Sequence, residues 1–406
     1  MFHHPLHGFS TEAFRADLPA SARGQRTADH GAAVALRRRR GFPAYPGPWS
    51  QPLPPEPDRA PDLADLRNVL DQPQRLFASR LGLRLPEEAE APQGEDLVDP
   101  DGLERWALRD RLLTARVEGE DEGALVSVLK ASGRIPRGRL GEALLSKILE
   151  ELPELPVFGP KDRVTANLRF TLEEARVGTD PHATGGPRLL RFEGPPRARW
   201  YRRPGESTVF QFFASKPNEG GDYRRQLLFG FDALALAASS STPDPGLRRG
   251  DPPLEARCLG PRSIWIMALP TPEMARAQLA RLLPLARWAR CRALPYWPRT
   301  AGVALAKAGR GSEVRGESRL ASLAARDPAE ILEAALSHWS ADREEHSGGA
   351  DGDLPTTRAV FRGCDDPFAI DGDSVPGWLP CPGGPLAWRL MLEFESWRES
   401  LNLRSP

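Results

Sequence analysis

The chain has 406 residues, of which 40% are hydrophobic, and its 55 basic and 55 acidic residues give a formal net charge of zero. This length and apolar content allow one large domain or two medium ones. Zero net charge argues against a freestanding nonspecific DNA-binding protein, because such proteins draw most of their affinity from neutralising phosphates. No apolar run reaches the roughly 18 residues of a membrane helix, and the N-terminus lacks the basic and apolar regions of a signal peptide. The four cysteines are widely spaced, so we predict a cytoplasmic protein with reduced thiols.

Residues 1–62 show no periodic pattern and predict an irregular arm that faces a partner. This arm contains four consecutive arginines, Arg37–Arg40, and a Pro-rich stretch over residues 52–61. The arginines could contact phosphates, or they could belong to a solvated or partner-facing arm. The Pro-rich stretch is typical of an extended loop laid over a neighbouring surface.

Residues 63–152 predict a helical region. Apolar residues at positions 63, 66, 69 and 70 follow helical spacing, and Pro73 separates this helix from a short one over residues 74–81. An acidic loop follows at residues 86–102. Further helices are predicted over residues 103–117, after Asp121, and over residues 138–152.

The pattern changes after Pro153, and residues 153–406 predict an α/β domain. The turn Gly194-Pro195-Pro196 suggests a hairpin between the strands that flank it. The continuous apolar run over residues 263–269 predicts a central strand that is buried on both faces. Strands are predicted over residues 163–172, 188–193, 197–203 and 208–213, and helices over residues 224–239, from Thr271 to about Cys291, and over residues 388–401. The whole chain therefore predicts an α/β fold in which a mixed sheet is flanked by helices, with an N-terminal helical layer.

Seven short segments resemble one known family, in the same order along the chain. The first runs from His4 to Phe14 and has the pattern HPL-x-x-F-S-x-x-x-F. In the segment at 71–83, Gln72 stands where the family usually has His, and in the segment at 226–238 Phe231 replaces the usual Trp. The other six segments are residues 71–83, 131–141, 200–205, 226–238, 293–301 and 360–368. Together they resemble the C-terminal domain of the RecC-like gamma subunit of bacterial exodeoxyribonuclease V, the RecBCD type of helicase–nuclease.

This resemblance implies an inactive PD-(D/E)xK nuclease-like domain. It also implies a noncatalytic subunit portion that binds duplex ends and single-stranded DNA during double-strand-break repair by homologous recombination. RecB-like and RecD-like subunits are the implied partners, and ATP and Mg²⁺ are expected in those partners rather than in this chain. Complete gamma subunits are much longer, so a fragment or one half of a split subunit is expected. Two alternatives stay open: a freestanding metal-dependent nuclease with an atypical site, and a scaffold without DNA contact.

Two lysine-centred motifs are missing from the sequence. An active nuclease of this fold needs an acidic residue two positions before a lysine, because bound metal activates water and the lysine orients it. The residues two positions before the five lysines are Val128, Leu145, Gly159, Ala214 and Leu305. No lysine follows a glycine, which excludes a Walker P-loop. We therefore predict no catalytic, cofactor-binding or metal-binding residue. An atypical site could use Asp162, Glu173, Glu174, Asp180 and Glu193, although such acids are more often solvated.

A cluster of arginines and aromatic residues is the candidate DNA-binding site. Arginines on a strand could hold phosphates, and an aromatic ring could stack on an unpaired base, which is worth about 1–3 kcal/mol. The alternative is an edge strand that its arginines keep soluble. Because neighbouring strand residues point to opposite faces, one of the two aromatic rings is expected in the core. The candidate residues are Arg197, Arg199, Trp200, Tyr201, Arg202 and Arg203.

Overall fold

The computed structural model of the chain has the mixed α/β class that the sequence predicts, with helices around two small sheets. It describes residues 52–56, 59–83, 102–152, 155–164, 167–174, 188–203, 205–214, 219–239, 254–261, 263–309, 319–339, 355–361, 364, 366–370 and 385–405. The arginine run at 37–40 and the segment from residue 4 to 14 lie outside these ranges. Across the described ranges, no helix is both long and apolar enough to cross a membrane.

Two short helices begin the main core, α1 (Leu63–Asp71) and α2 (Gln74–Arg80), as their apolar spacing predicts. The Asp62 carboxylate accepts a hydrogen bond from the Asp65 amide at 2.7 Å, and the Asp65 carboxylate accepts one from the Asp62 amide at 3.3 Å. This reciprocal capping satisfies backbone donors that the first helical turn leaves free. Leu66, Val69 and Leu70 of the first helix and Leu76, Phe77 and Ala78 of the second are buried together with residues of both sheets.

Three further helices form a unit with its own hydrophobic core: α3 (Gly102–Glu118), α4 (Glu122–Ala131) and α5 (Arg139–Glu151). The predicted helical region 63–152 is therefore divided between two cores, since α1 and α2 pack elsewhere. The turn before α5 explains two glycines of the family-like segment 131–141. Gly138 has a φ of +70°, and a Cβ at Gly141 would lie 1.9 Å from the Pro136 carbonyl oxygen. Only glycine fits both conditions.

The two sheets share one covering helix, α6 (Glu219–Ser239). Strands β1 (Leu168–Glu174) and β2 (Arg188–Gly194) form an antiparallel pair whose inner face is apolar. The second sheet has the order β3-β4-β5, in which β3 runs parallel to β4 and β4 antiparallel to β5. Its strands are β3 (Thr208–Phe212), β4 (Glu255–Leu259) and β5 (Ile264–Ala268). The α/β class with helix 224–239 packed on strands is thus confirmed, although the strands form two small sheets instead of the single mixed sheet that was predicted. The nuclease-like topology stays a prediction.

The apolar run at 263–269 forms a strand, but its predicted central position is wrong. β5 lies at the edge of its sheet, and Ile264 is 39% exposed. Burial alternates along the strand, because Trp265 and Met267 are buried while their neighbours are not. On the outer side, within the described ranges, Ile266 alone is bridged, by two backbone hydrogen bonds of 2.9 Å to Arg404. An apolar run therefore does not distinguish an edge strand from a central one when the sheet is small.

The predicted hairpin around residues 194–196 is also wrong. β2 takes β1 as its partner, so the Gly-Pro-Pro turn leads the chain away from the pair. Residues 197–203 form no strand; Tyr201 alone makes isolated bridges to Arg163 and Phe210. Pairing between distant segments has replaced the local hairpin that the turn residues suggested.

The helix predicted from Thr271 to Cys291 is two helices, α7 (Pro272–Ala280) and α8 (Leu282–Cys291). Pro284 has no amide hydrogen to donate to the Ala280 carbonyl, and its ring would clash with that carbonyl. The first helix therefore ends at Ala280. The Thr271 hydroxyl caps α7 by accepting from the Met274 amide at 3.4 Å. The remaining helices are α9 (Pro298–Gly309), α10 (Arg319–Ala324), α11 (Pro328–Trp339), α12 (Pro355–Val360) and α13 (Leu386–Ser400).

Candidate nucleic-acid interface

The candidate DNA-binding segment, residues 197–203, lies between the main core and the three-helix unit. Backbone hydrogen bonds fix it from both sides: the Val164 amide donates to the Trp200 carbonyl at 2.8 Å, and the Arg202 amide donates to the Asp162 carbonyl at 2.7 Å. Tyr201 and Phe210 exchange two backbone bonds of 2.9 Å. The segment is therefore held at residues 200–202 although it forms no strand.

Both aromatic rings of the segment are buried, on opposite sides. Trp200 is 0% exposed and packs in the main core, with its ring centroid 6.0 Å from that of Phe229. Tyr201 is 2% exposed and lies with Val117 and Phe158 in a small separate cluster. Neither ring can stack on a base in this arrangement. Both rings are core residues, which is the alternative to the stacking hypothesis. DNA contact by this segment stays a prediction that depends on its arginines.

Tyr201 also ties the segment to the three-helix unit by a polar contact. Its hydroxyl donates a hydrogen bond of 2.9 Å to the Glu118 carboxylate on α3. Burial, and then the nearby Glu118 carboxylate, raise the pKa of the Tyr201 hydroxyl far above its usual value. The phenol therefore stays neutral and remains a donor at physiological pH.

The four arginines of the segment are partly engaged within the chain and partly open to solvent. Arg199 pairs with Asp110 of α3 at 3.7 Å. Arg203 donates to the Val157 carbonyl at 2.9 Å, and its guanidinium lies 5.1 Å from the centre of the Phe158 ring. The Arg199 and Arg203 side chains are 46% and 47% exposed. Arg197 is exposed and Arg202 half-buried.

A guanidinium carries five N–H donors, so the intramolecular contacts of Arg199 and Arg203 leave donors for a second acceptor. The exposed sides of Arg197, Arg199 and Arg203 are therefore chemically suited to phosphate oxygens. The geometry supports phosphate contact without base stacking.

The acids proposed for an atypical metal site have other partners where the structure describes them. The Asp162 carboxylate accepts from the Gly159 amide at 2.8 Å, and Glu174 binds Arg287 at 2.7 Å. Glu193 pairs with Arg169 at 2.9 Å on the exposed face of the β1–β2 pair. Glu173 is exposed on the same pair, and residue 180 lies outside the described ranges. No three His, Cys, Asp or Glu side chains converge within the described part of the chain.

Two ion pairs join α1 to α6 inside the main core, and sequence reasoning missed both. The Arg67 Nε lies 3.4 Å from the Asp232 carboxylate, and the Arg224 Nε lies 2.5 Å from the Asp71 carboxylate. Burial raises the pKa of Asp232, and the Arg67 charge partly offsets that rise. One signal was available: Asp232 interrupts an otherwise apolar stretch of α6.

Three of the family-like segments meet in the main core. Gln74, from the segment at 71–83, is buried and donates to the Leu294 and Tyr296 carbonyls of the segment at 293–301, at 2.9 and 2.7 Å. The ring of Trp297 lies 5.1 Å from Phe361 and 5.5 Å from Phe368, measured between centroids. These family-like segments therefore pack together in the core.

Comparison with known proteins agrees with this arrangement. Residues 58–310, more than half of the chain, match the RecC C-terminal domain. The chain belongs to the RecC C-terminal domain family. The RecBCD enzyme subunit RecC of Mycolicibacterium smegmatis (strain ATCC 700084 / mc(2)155) is 34% identical to it over 116 residues. That alignment covers 28% of this chain and 11% of the mycobacterial RecC, so the chain matches about a tenth of that protein's length.

Membership of the RecC family confirms the resemblance that the short segments predicted. The matched region begins just before α1 and reaches the end of α9. It includes both sheets, the three-helix unit and the segment at 197–203. The candidate DNA-contacting arginines are thus part of the RecC-type region of the chain.

Proposed function

We propose that this RecC-type chain is a noncatalytic portion of an exodeoxyribonuclease V complex. It contacts DNA and RecB-like and RecD-like subunits during double-strand-break repair by homologous recombination, in the cytoplasm. The RecC match over residues 58–310 carries this proposal. The absence of both lysine-centred motifs from the sequence supports a noncatalytic role, with ATP and Mg²⁺ bound by the partner subunits. The inactive nuclease-like fold belongs to the same proposal.

The arginines at 197–203 are the part of the chain that we assign to DNA. The Arg199 and Arg203 side chains are about half exposed, and Arg197 is exposed as well. Backbone hydrogen bonds fix the segment at residues 200–202. A phosphate contact needs a positioned cation rather than a free aromatic ring. The buried rings therefore serve the site indirectly, by fixing the arginines in place.

Assembly with partner subunits tests the proposal. The chain is expected to co-purify with the RecB-like and RecD-like subunits of the same genome when the three are co-expressed, and the isolated chain is expected to hydrolyse neither ATP nor DNA. A complex that forms and degrades linear duplex equally well without this chain would contradict the subunit role. Magnesium-dependent nuclease activity that follows the isolated chain through several columns would instead favour the atypical nuclease.

Salt dependence tests the arginine contact. Replacing Arg197, Arg199 and Arg203 with alanine is expected to weaken forked-DNA binding by the assembled complex to a similar degree for all sequences. The slope of log K against log salt should fall by about 1 for each phosphate contact that is lost. Fluorescence anisotropy at a series of salt concentrations measures both quantities.

The control for this variant is Arg257→Ala, because the Arg257 side chain is 43% exposed and lies on β4, outside the candidate segment. This control should leave the slope unchanged. An unchanged slope in the triple variant, with normal folding, would remove residues 197–203 from the DNA interface.

A further inference from the structure

The Pro-rich segment, residues 52–56 and 59–61, crosses the C-terminal end of α8. The Leu53 amide donates to the Cys291 carbonyl at 2.7 Å and so satisfies one of the acceptors that the helix end leaves free. Arg287 donates to the Glu56 and Arg59 carbonyls at 3.4 and 3.2 Å. The described part of the predicted partner-facing arm thus packs on its own chain.

Glu56 of this segment is bound by two largely buried arginines. Its carboxylate accepts from Nε and Nη2 of Arg290, at 2.9 and 2.8 Å, and lies 3.4 Å from Nε of Arg80. The Arg290 and Arg80 side chains are only 6% and 11% exposed, whereas Glu56 is 35% exposed. A partly exposed acid on a surface segment is therefore the counter-ion of two guanidinium groups that belong to the body of the domain.

This site holds more donors than the carboxylate satisfies. The Arg290 Nη1 is buried and has no hydrogen-bond partner among the residues that the structure describes. An unpaired donor on a buried guanidinium is unfavourable, because it has lost water without gaining an acceptor. A phosphate group is tetrahedral and offers more acceptor oxygens than a carboxylate, and guanidinium groups bind it in bidentate fashion.

Among the residues that the structure describes, the surroundings of this site hold more positive than negative charge. Asp65, a buried acid, pairs with Arg59 at 3.6 Å. Glu174 pairs with Arg287. Glu56 is thus the one carboxylate in an ion pair with Arg290 among the described residues. Its departure would leave Arg290 without a paired carboxylate, and only the longer-range attraction of Asp65 would act on it among the described acids that interact with it.

We infer that Glu56 occupies a built anion site, formed by Arg80 and Arg290, that binds a nucleic-acid phosphodiester when the Pro-rich segment dissociates. The choice of a nucleic acid as the source of the phosphate rests on the proposed function. The site itself belongs to the isolated chain and can fail or succeed independently of complex assembly. The Glu56 carboxylate acts as an internal competitor for the phosphodiester.

Binding of a short fluorescein-labelled oligothymidylate to the full chain tests this inference. Glu56→Ala is expected to bind about tenfold more tightly than the wild type, which corresponds to about 1.4 kcal/mol. Glu56→Gln keeps the side-chain shape and removes the charge, so it should also bind the oligonucleotide more tightly than the wild type. It replaces Glu56→Ala in the test if the alanine variant folds poorly. Inorganic phosphate should compete with the oligonucleotide on both variants.

Two further variants assign the effect to the site. Glu193→Ala removes an acid from an exposed pair with Arg169 and should show no comparable gain, which controls for overall charge. Adding Arg290→Ala to Glu56→Ala should abolish the gain. An affinity gain that survives the loss of Arg290, or one that Glu193→Ala reproduces, would overturn the site. If phosphate binds but the Glu56 variants gain no affinity for the oligonucleotide, the phosphodiester is overturned as the ligand.

Hydrogen exchange on the wild-type chain tests whether the segment dissociates. Saturating oligonucleotide is expected to accelerate exchange of the Leu53 amide, because its bond to the Cys291 carbonyl is lost when the segment leaves. Unchanged or slower exchange at Leu53 with bound oligonucleotide would contradict the displacement.

Discussion

Replacing Trp200 with alanine is expected to lower the free energy of unfolding by about 3–5 kcal/mol, the usual cost of removing a large buried ring from a packed core. Trp200 is fully buried against Phe229, so the substitution leaves a cavity between the segment at 197–203 and α6. Urea denaturation of the isolated chain measures the change through the midpoint, with the slope expected to stay constant.

Trp106→Ala is the matched control, because it removes the same ring from a position on α3 that is 45% exposed. Surface substitutions of this kind usually change stability by about 0.5 kcal/mol or less. If Trp200→Ala costs no more than Trp106→Ala, the core position of Trp200 is contradicted. If it instead weakens DNA binding without loss of stability, base stacking returns as the explanation for this residue.

Arg67→Ala is expected to cost about 3–5 kcal/mol at neutral pH, because it leaves the Asp232 carboxylate buried without its ion-pair partner. Arg67 is the described cation that contacts Asp232 directly, at 3.4 Å, and the carboxylate side chain is only 6% exposed. The effect should appear as a lower urea midpoint. Arg191→Ala, at a position whose side chain is 72% exposed, serves as the control and should change stability by about 0.5 kcal/mol or less.

The cost of losing Arg67 should depend on pH, with a sign set by the raised pKa of Asp232. A carboxyl that binds its proton more tightly in the folded state destabilises the fold as pH rises from its unfolded pKa, about 4, through its folded pKa. Removing the Arg67 charge raises the folded pKa of Asp232 further. The variant should therefore be close to wild type near pH 4 and fall behind as pH increases. A loss that is equal at all pH values would contradict a buried ionised Asp232.

The sequence by itself determined the family and several helices of the main core, although it predicted α7 and α8 as one helix and did not predict α9 or α11. Residues 63–70 and 224–239 carry their apolar side chains at helical spacing, and Asp62 and Thr271 are residues whose side chains cap helices. These features are local, because spacing and capping depend on residues within one or two turns. The RecC-like segments were readable for a related reason: Gln74, Tyr296 and Trp297 build a core that admits few alternatives.

Tertiary structure alone decided which strands lie at an edge, which rings are buried and which charges meet. β5 is an edge strand because β4 is its one strand partner in the part of the chain that the structure describes, and pairing partners are not written in the residues 264–268 themselves. Trp200 and Tyr201 are both buried because α6 covers one side of their segment and α3 the other. Asp232 meets Arg67, and Glu56 meets Arg290, across separations of 165 and 234 residues. Charge pairing over such distances follows from packing, because local sequence restrains only neighbouring residues.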